Sequence, residues 1–376
     1  MKRIDRYIFV EFVRVFCICF VTFLGIFVVA DFVNHFDELV RHAKSHGGMG
    51  QVLWEYYGAK VPWFFDFIGR IVGLVAAVFA ATSLQRNNEM AAMMAAGISR
   101  WRIVKPLVFA VGLVAVLGVL NRELLIPKLG ERIFADARNL AGDKSEEIHP
   151  QYDHATGIFM EGESIVTATK AITKPTFHLP NDLAPRGTVI VAEEAMRIPR
   201  EGNRPAGFLM SGVDKEKTGI NQTVVKNETL VVAHPSDVEW LKEDQLYVVT
   251  DLPFDQLRSN GNWKQCASTL NLINVARNDS LDTGADVSVA IHSRILQPVV
   301  DMLLLFLGLP VVLSRESRNA FIAVGSCMLV VTVFVVSVLG LQSLGSSYLI
   351  APSLAAWLPV LIFVPIAFLM SGPLHR

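Results

Sequence analysis

The sequence predicts an α-helical membrane protein with six transmembrane helices, three before and three after an inserted extracytoplasmic all-β jelly-roll domain. Three observations predict it. The chain of 376 residues is 52% hydrophobic and only 18% charged, well under the roughly 25% charge of ordinary soluble domains. The apolar residues gather in six long runs toward the two ends. Between them lies a polar middle with short β-type runs. The formal net charge of −1 gives neither a basic excess suited to nucleic acid nor an acidic tail.

The six runs cover approximately 13 to 31, 61 to 84, 103 to 121, 295 to 313, 320 to 341 and 349 to 370, each near the length that crosses about 30 Å of hydrocarbon. The first follows Lys2, Arg3 and Arg6 as a signal peptide would. It has no small-residue cleavage site and is too long for such a leader, so it is expected to stay as a helix.

Basic residues in short loops set the orientation. One side collects Lys2, Arg3, Arg6, Arg14, Arg86, Arg100, Arg102, Lys105, Arg315, Arg318 and Arg376; the other holds Arg41, Lys44 and Lys60. Both termini are therefore expected in the cytoplasm, with the middle region on the other side of the membrane. That region carries the runs 157–160, 188–192 and 246–250, separated by turn residues. Many short strands without a long helical period read as a sandwich or jelly roll. The division expected is 1–125 for spans one to three, 126–292 for the β domain and 293–376 for spans four to six. Of four cysteines, Cys17, Cys19 and Cys327 fall in apolar runs and Cys266 stands alone, which leaves no disulfide framework.

The loop between spans two and three reads Gln85-Arg86-Asn87-Asn88-Glu89-Met90-Ala91-Ala92-Met93-Met94-Ala95-Ala96-Gly97-Ile98-Ser99-Arg100. Ala, Met and Glu favour helix. Asn87 or Asn88 suits the N-cap, and Glu89 suits the positive end of the helix dipole. Gly97 suits a left-handed close with Ile98 packing back on Met93, and Ser99 suits the cap of the next helix. A short cytoplasmic helix at 86–98 follows, with Met90, Met93 and Met94 as an adaptable contact surface. A helix resting on lipid is the plainer reading, in which Glu89 is only a capping charge.

No GxxxxGK[ST], HExxH or GxSxG occurs, so nucleotide chemistry has to come from a partner, and no catalytic residue or cofactor is expected. Glu38, His42 and His46 recur every fourth residue, a spacing open to a metal but better explained as the solvated end of a helix; no metal is expected. Ionisable residues at membrane depth are functional candidates: Asp66 and Arg70, one turn apart and able to pair, and Asp301 with Arg294 in span four. Pairs that hold the bundle together are the leading account, contact with a lipid head group the second. Gly69, Gly73, Ala77 and Ala81 form a small-residue stripe on span two suited to close helix packing.

Four stretches in order, with a fifth just before span four, resemble the YjgP/YjgQ family. They are Ile4-Asp5-Arg6-Tyr7-Ile8 with Glu11-Phe12, Asn88-Glu89 through Ala96-Gly97-Ile98-Ser99, Ile291-His292-Ser293-Arg294 with Gln297-Pro298 and Leu307-Gly308-Leu309-Pro310, and Ala355-Ala356-Trp357-Leu358-Pro359; the fifth is Ser268-Thr269-Leu270. The resemblance implies a permease half of the lipopolysaccharide export ABC transporter (LptF/LptG-like). Its implied partners are a paralogous permease half, a homodimeric ABC ATPase, periplasmic jelly-roll bridge proteins and the lipopolysaccharide itself. It also implies that the loop helix docks in the ATPase with Glu89 facing a cation, and that basic residues near the outer end of span one meet lipid phosphates. That end is acidic here, Asp31 to Glu38, so phosphate contact carries over at most to Arg41 and Lys44. The rivals are a lipoprotein-releasing type of permease, which commonly has four spans, and a membrane-anchored binding or scaffold protein.

Overall fold

The computed structural model describes residues 3–45, 48–133, 145–166, 169–184, 188–202, 204–214, 218–220, 222–226, 229–238, 240–257, 263–313 and 320–372. Lys2, His46, Arg315, Arg318 and Arg376 lie outside them. Two compact units result, Met1–Ile133 with Gly284–Arg376, and Phe134–Thr283.

In chain order the first unit begins with α1 (Arg3–Asn34), α2 (Phe36–Ser45), α3 (Met49–Arg86), α4 (Glu89–Ala95), α5 (Arg100–Leu120), a π-helical turn Asn121–Leu125 and α6 (Ile126–Ile133). The second unit holds eleven strands followed by α7 (Trp263–Cys266) and α8 (Thr269–Ala276). The first unit resumes with α9 (Ala285–Leu313), α10 (Ala320–Ser346) and α11 (Pro352–Met370).

Among the described residues six segments are long and apolar enough to cross a membrane: Arg3–Asn34, Met49–Arg86, Arg100–Gly130, Ala285–Leu313, Gly325–Ser346 and Pro352–Met370. Most outrun the apolar stretches because packing continues where hydropathy falls. In α3, Val52, Tyr56 and Tyr57 are buried well before residue 61. The expected domain edges at 125/126 and 292/293 fall inside or beside helices for the same reason, since Ile126 and Ile133 on one side and Val287 and Val289 on the other are buried.

The bundle core sets small residues of α3 against the leucines of α5 and α9, with Phe12 and Phe334 also buried. Ala76, Ala77, Ala80 and Ala81 are all 0% exposed, which lets helix backbones approach closely. Gly308 and Gly345 mark the tightest approaches in the bundle. A Cβ on Gly345 would stand 2.4 Å from Ala355 Cβ and 3.0 Å from Val289 Cγ2, and one on Gly308 would stand 3.0 Å from Leu74 Cδ1 and 3.1 Å from Cys327 Sγ. Large side chains face outward, among them Phe67, Phe109 and Phe368.

The strands of the second unit are β1 (Gln151–Tyr152), β2 (Phe159–Glu161), β3 (Ser164–Val166), β4 (Ala171–Thr173), β5 (Thr176–His178), β6 (Val189–Val191), β7 (Glu194–Ile198), β8 (Gly207–Ser211), β9 (Val224–Lys226), β10 (Thr229–Ala233) and β11 (Gln245–Val249). They form two antiparallel sheets, β1-β2-β5-β6 and β3-β4-β7-β8-β11-β10-β9. Side chains alternate along each strand, so Met160, Phe177 and Ile190 of the smaller sheet meet Ile172, Phe208, Met210 and Val248 of the larger in one core. Phe177 and Phe208 pack edge to face at 5.8 Å. In β11, Tyr247 points the other way into a satellite cluster with Ala233 and Leu241, which is why three successive residues of that strand are buried.

A buried acid braces the larger sheet's neighbourhood. Asp153, 0% exposed, accepts from Thr250 Oγ1 at 2.7 Å and from the backbone N–H of Ala155 at 2.9 Å. Arg197 donates to Thr250 O at 2.8 Å over the Phe208 ring, and burial pushes its guanidinium below the usual arginine range.

Candidate functional site

The loop between spans two and three forms α4, six residues shorter than the 86–98 expected because α3 runs on to Arg86 and the chain leaves the helix at Ala96. The close is a Schellman motif: Gly97 at φ +80° donates to Met94 O at 2.9 Å, and Ile98 donates to Met93 O at 3.1 Å. Its start differs from expectation. Asn88 holds the N-cap position in the left-handed region at φ 59° and makes no side-chain cap bond, and Ser99 likewise makes none. An N-cap side chain bonds the helix end from an extended backbone, and the left-handed backbone at Asn88 is not that conformation.

The methionines face inward. Met90 is 5% exposed and belongs to the bundle core, and Met93 and Met94 pack against that core. The exposed surface of α4 is instead Ala91, Ala92, Ala95 and Ala96, with Gly97 beyond it. The expectation that Met90, Met93 and Met94 present the contact surface is therefore revised: a seven-residue helix with apolar residues all round gives them to the largest apolar neighbour, its own bundle. Glu89 is moored, its Oε1 accepting from Tyr7 Oη at 3.2 Å. Arg102 pairs with Asp5 at 3.0 Å, so the first turns of α1 hold both α4 and α5.

The intramembrane charges come together at one end of the bundle. Asp66, Arg70, Arg294 and Asp301 line a single cavity with Gln297, Glu123 and Arg122. The expected Asp66–Arg70 pair is not formed. Asp66 Oδ2 accepts from Arg122 Nη2 at 2.6 Å and from its Nε at 3.2 Å, because the π-helical turn widens the helix and carries Arg122 toward α3. Beside it, Asn121 is 6% exposed and donates to Pro62 O at 2.8 Å. Asp301, 9% exposed, accepts from Gln297 Nε2 at 2.8 Å. Arg122 was missed in sequence because it lies just past the third apolar run, and its partner is 56 positions away.

The far end of α1 is acidic but largely neutralised. Asp31 accepts from Tyr57 Oη at 3.1 Å and pairs with Lys60 Nζ at 3.3 Å, and the ammonium sits 3.8 Å from the Tyr56 ring centroid. Arg41 and Lys44 stand on α2, both exposed; Arg41 reaches Asp37 O at 3.2 Å and Glu38 at only 3.8 Å. Among the described residues no group of three or more His, Cys, Asp or Glu is placed to hold a metal.

Six membrane-length helices around paired charges, a short moored helix between the second and third, and a two-sheet β unit inserted after the third define a polytopic membrane protein of composite α and β build. The profile of the family described as "Lipopolysaccharide export system permease LptF/LptG" matches residues 6–164 and 216–372. That is well over half of the chain, and the chain belongs to this family. It is accordingly a multi-pass inner-membrane permease component of an ABC transporter for lipopolysaccharide rather than an enzyme. No individual curated protein matches it.

Several of the resembling residues acquire physical roles. Asp5 and Tyr7 moor the loop, Gln297 holds Asp301, Gly308 admits a close helix approach, and Ser268 Oγ caps α8 by accepting from Asn271 N at 3.1 Å.

Proposed function

We propose that the chain is one of two paralogous permease halves which, seated on a homodimeric ABC ATPase, extract lipopolysaccharide or a related glycolipid from the inner membrane. Both termini and α4 face the cytoplasm, and the β domain faces the periplasm. There it receives the lipid and passes it to jelly-roll bridge proteins. ATP is hydrolysed by the partner, and this chain converts the partner's closure into helix motion, a rigid-body change of the kind transporters use.

The observation that carries this reading is the mooring of α4. A helix tied by hydrogen bond to α1 and closed tightly onto α5 passes a push directly to three spans, whereas a helix merely resting on lipid needs no such ties. Its alanine face suits insertion into a groove, and Glu89 stands at its edge as the charge a partner cation would meet. Arg41 and Lys44 are the cations available to lipid phosphates near the outer end of span one.

Replacing Glu89 by Ala should reduce ATPase co-purification and lipid release by about tenfold or more, the scale of removing one member of an interfacial charge pair. Tyr7→Phe keeps the carboxylate and should retain the ATPase. Wild-type co-purification and export in Glu89→Ala would reject the coupling role.

A further inference from the structure

We propose that the charge cluster at α3, α5 and α9 is a two-position ionic switch in which Asp66 exchanges Arg122 for Arg70 during the transport stroke.

Asp66 has two guanidinium groups within its reach. Arg70 follows it by one turn on the same helix, with the acid N-terminal to the base, the order that favours an intrahelical pair. The carboxylate nevertheless turns to Arg122 on the neighbouring helix. Among the described residues Arg70 donates no hydrogen bond. It lines the same cavity as Asp301 and Arg122. A cation held close to one acid and one turn from another, with both acids facing one space, has two favourable positions.

What selects the present position is the π-helical turn. Ile126 donates its N–H to Asn121 O, five residues back, so one residue more than an α-helix needs is housed in that turn. Such turns are uncommon and concentrate at functional positions. Resolving it to α-helix rotates the helix beyond it by about 100° relative to the part before it. Arg122 lies inside the turn, so this rearrangement withdraws it from Asp66. The same turn is pinned to α3 by Asn121 on Pro62 O, at a level where Pro62 has already removed a backbone donor from α3. Both anchors of the turn thus land on one stretch of α3, residues 62–66, and they must let go together.

The exchange strands no charge at membrane depth. When Asp66 passes to Arg70, Arg122 still faces the cavity that holds Asp301 and Glu123, and Asp301 keeps Gln297 and Arg294 beside it. A buried ion that loses its partner is costly, so a switch in this setting works only by trading partners. Here three guanidinium groups and three carboxylates share one space, which permits the trade.

The inference rests on the permease reading for its role in transport, but the geometry is testable apart from it. Spin labels at Phe67→Cys on α3 and Leu124→Cys in the turn, both exposed positions, report its register, with Cys17, Cys19 and Cys266 replaced by Ser. They are read in the intact transporter with and without trapped nucleotide. Two distance populations are expected, and Asp66→Asn or Arg122→Gln should shift the balance between them. Arg70→Gln should leave assembly and the nucleotide-free distance as they are while lowering lipid release by about threefold to tenfold, the scale of a strong polar contact between membrane helices; Arg70→Lys should restore it.

A single distance in wild type, in every variant and in both nucleotide states overturns the switch. Wild-type lipid release by Arg70→Gln overturns it as well. Two populations that respond to Asp66→Asn in a chain that releases no lipid would uphold the switch and count against the permease reading instead.

Discussion

The membrane bundle and the β unit use the same apolar residues in different ways. In the β unit the bulk is inside: Phe177 and Phe208 are 0% exposed, and their volume is what joins the two sheets. In the bundle bulk lies on both sides: Phe12, Phe334 and the leucines of α9 are buried, Phe109 is 60% and Phe368 78% exposed, and alanines line the packed face of α3. Lipid tails are as apolar as a protein interior, so burying Phe brings a membrane helix little. Close backbone approach and hydrogen-bonded polar pairs hold the bundle instead. The lesson is that side-chain volume alone specifies the β unit, whereas in the bundle small residues and paired charges work beside buried bulk.

The sharpest way to break this comparison is a pair of equal truncations. Phe208→Ala should destabilise the β unit by about 3 to 5 kcal/mol, whereas Phe109→Ala should stay within about 0.5 kcal/mol. Protease susceptibility of each unit in detergent-purified protein reads both, and equal sensitivity would erase the distinction drawn here.

The reverse experiment adds volume. Gly345→Ala forces a methyl group against Ala355 and should cost the bundle about 1 to 3 kcal/mol, seen as a lower thermal midpoint. Gly340→Ala on the same helix meets nothing within 4 Å and should leave the midpoint in place. An effect of similar size is expected at the buried acid of the β unit. Asp153→Ala leaves the hydroxyl of Thr250, itself 2% exposed, without its acceptor and should cost about 1 to 3 kcal/mol, read as earlier cleavage after residue 144.

Much of this architecture was legible in the chain because it is written locally. A run of apolar residues declares a span, and the β-rich runs at 157–160, 188–192 and 246–250 became β2, β6 and β11. Gly97 announced the Schellman close because only the immediate backbone is involved. The faces of α4 were not legible. With Met and Ala at nearly every position, no polar side chain marks which way such a helix turns, and only the neighbouring core decides it.

The partner of Asp66 was hidden for two reasons. The nearer candidate at i+4 is the one a helical spacing favours, and the actual one depends on an inserted residue that no periodicity reveals. Lys60 on Asp31 is a similar case: an acidic stretch read as departing from the basic pattern of the family is in part the counterion of the next helix.

Only Asn87 and Asn88 separate α3 from α4, and only four residues separate α4 from α5. Connections this short hold no slack in which a displacement could be absorbed. The 38 residues of α3 make a rod of about 57 Å, so a tilt of about 5° at the end next to α4 sweeps the opposite tip through about 5 Å. A small rocking movement at one end of the helix is thereby geared up to a distance comparable with the width of an acyl chain at the other.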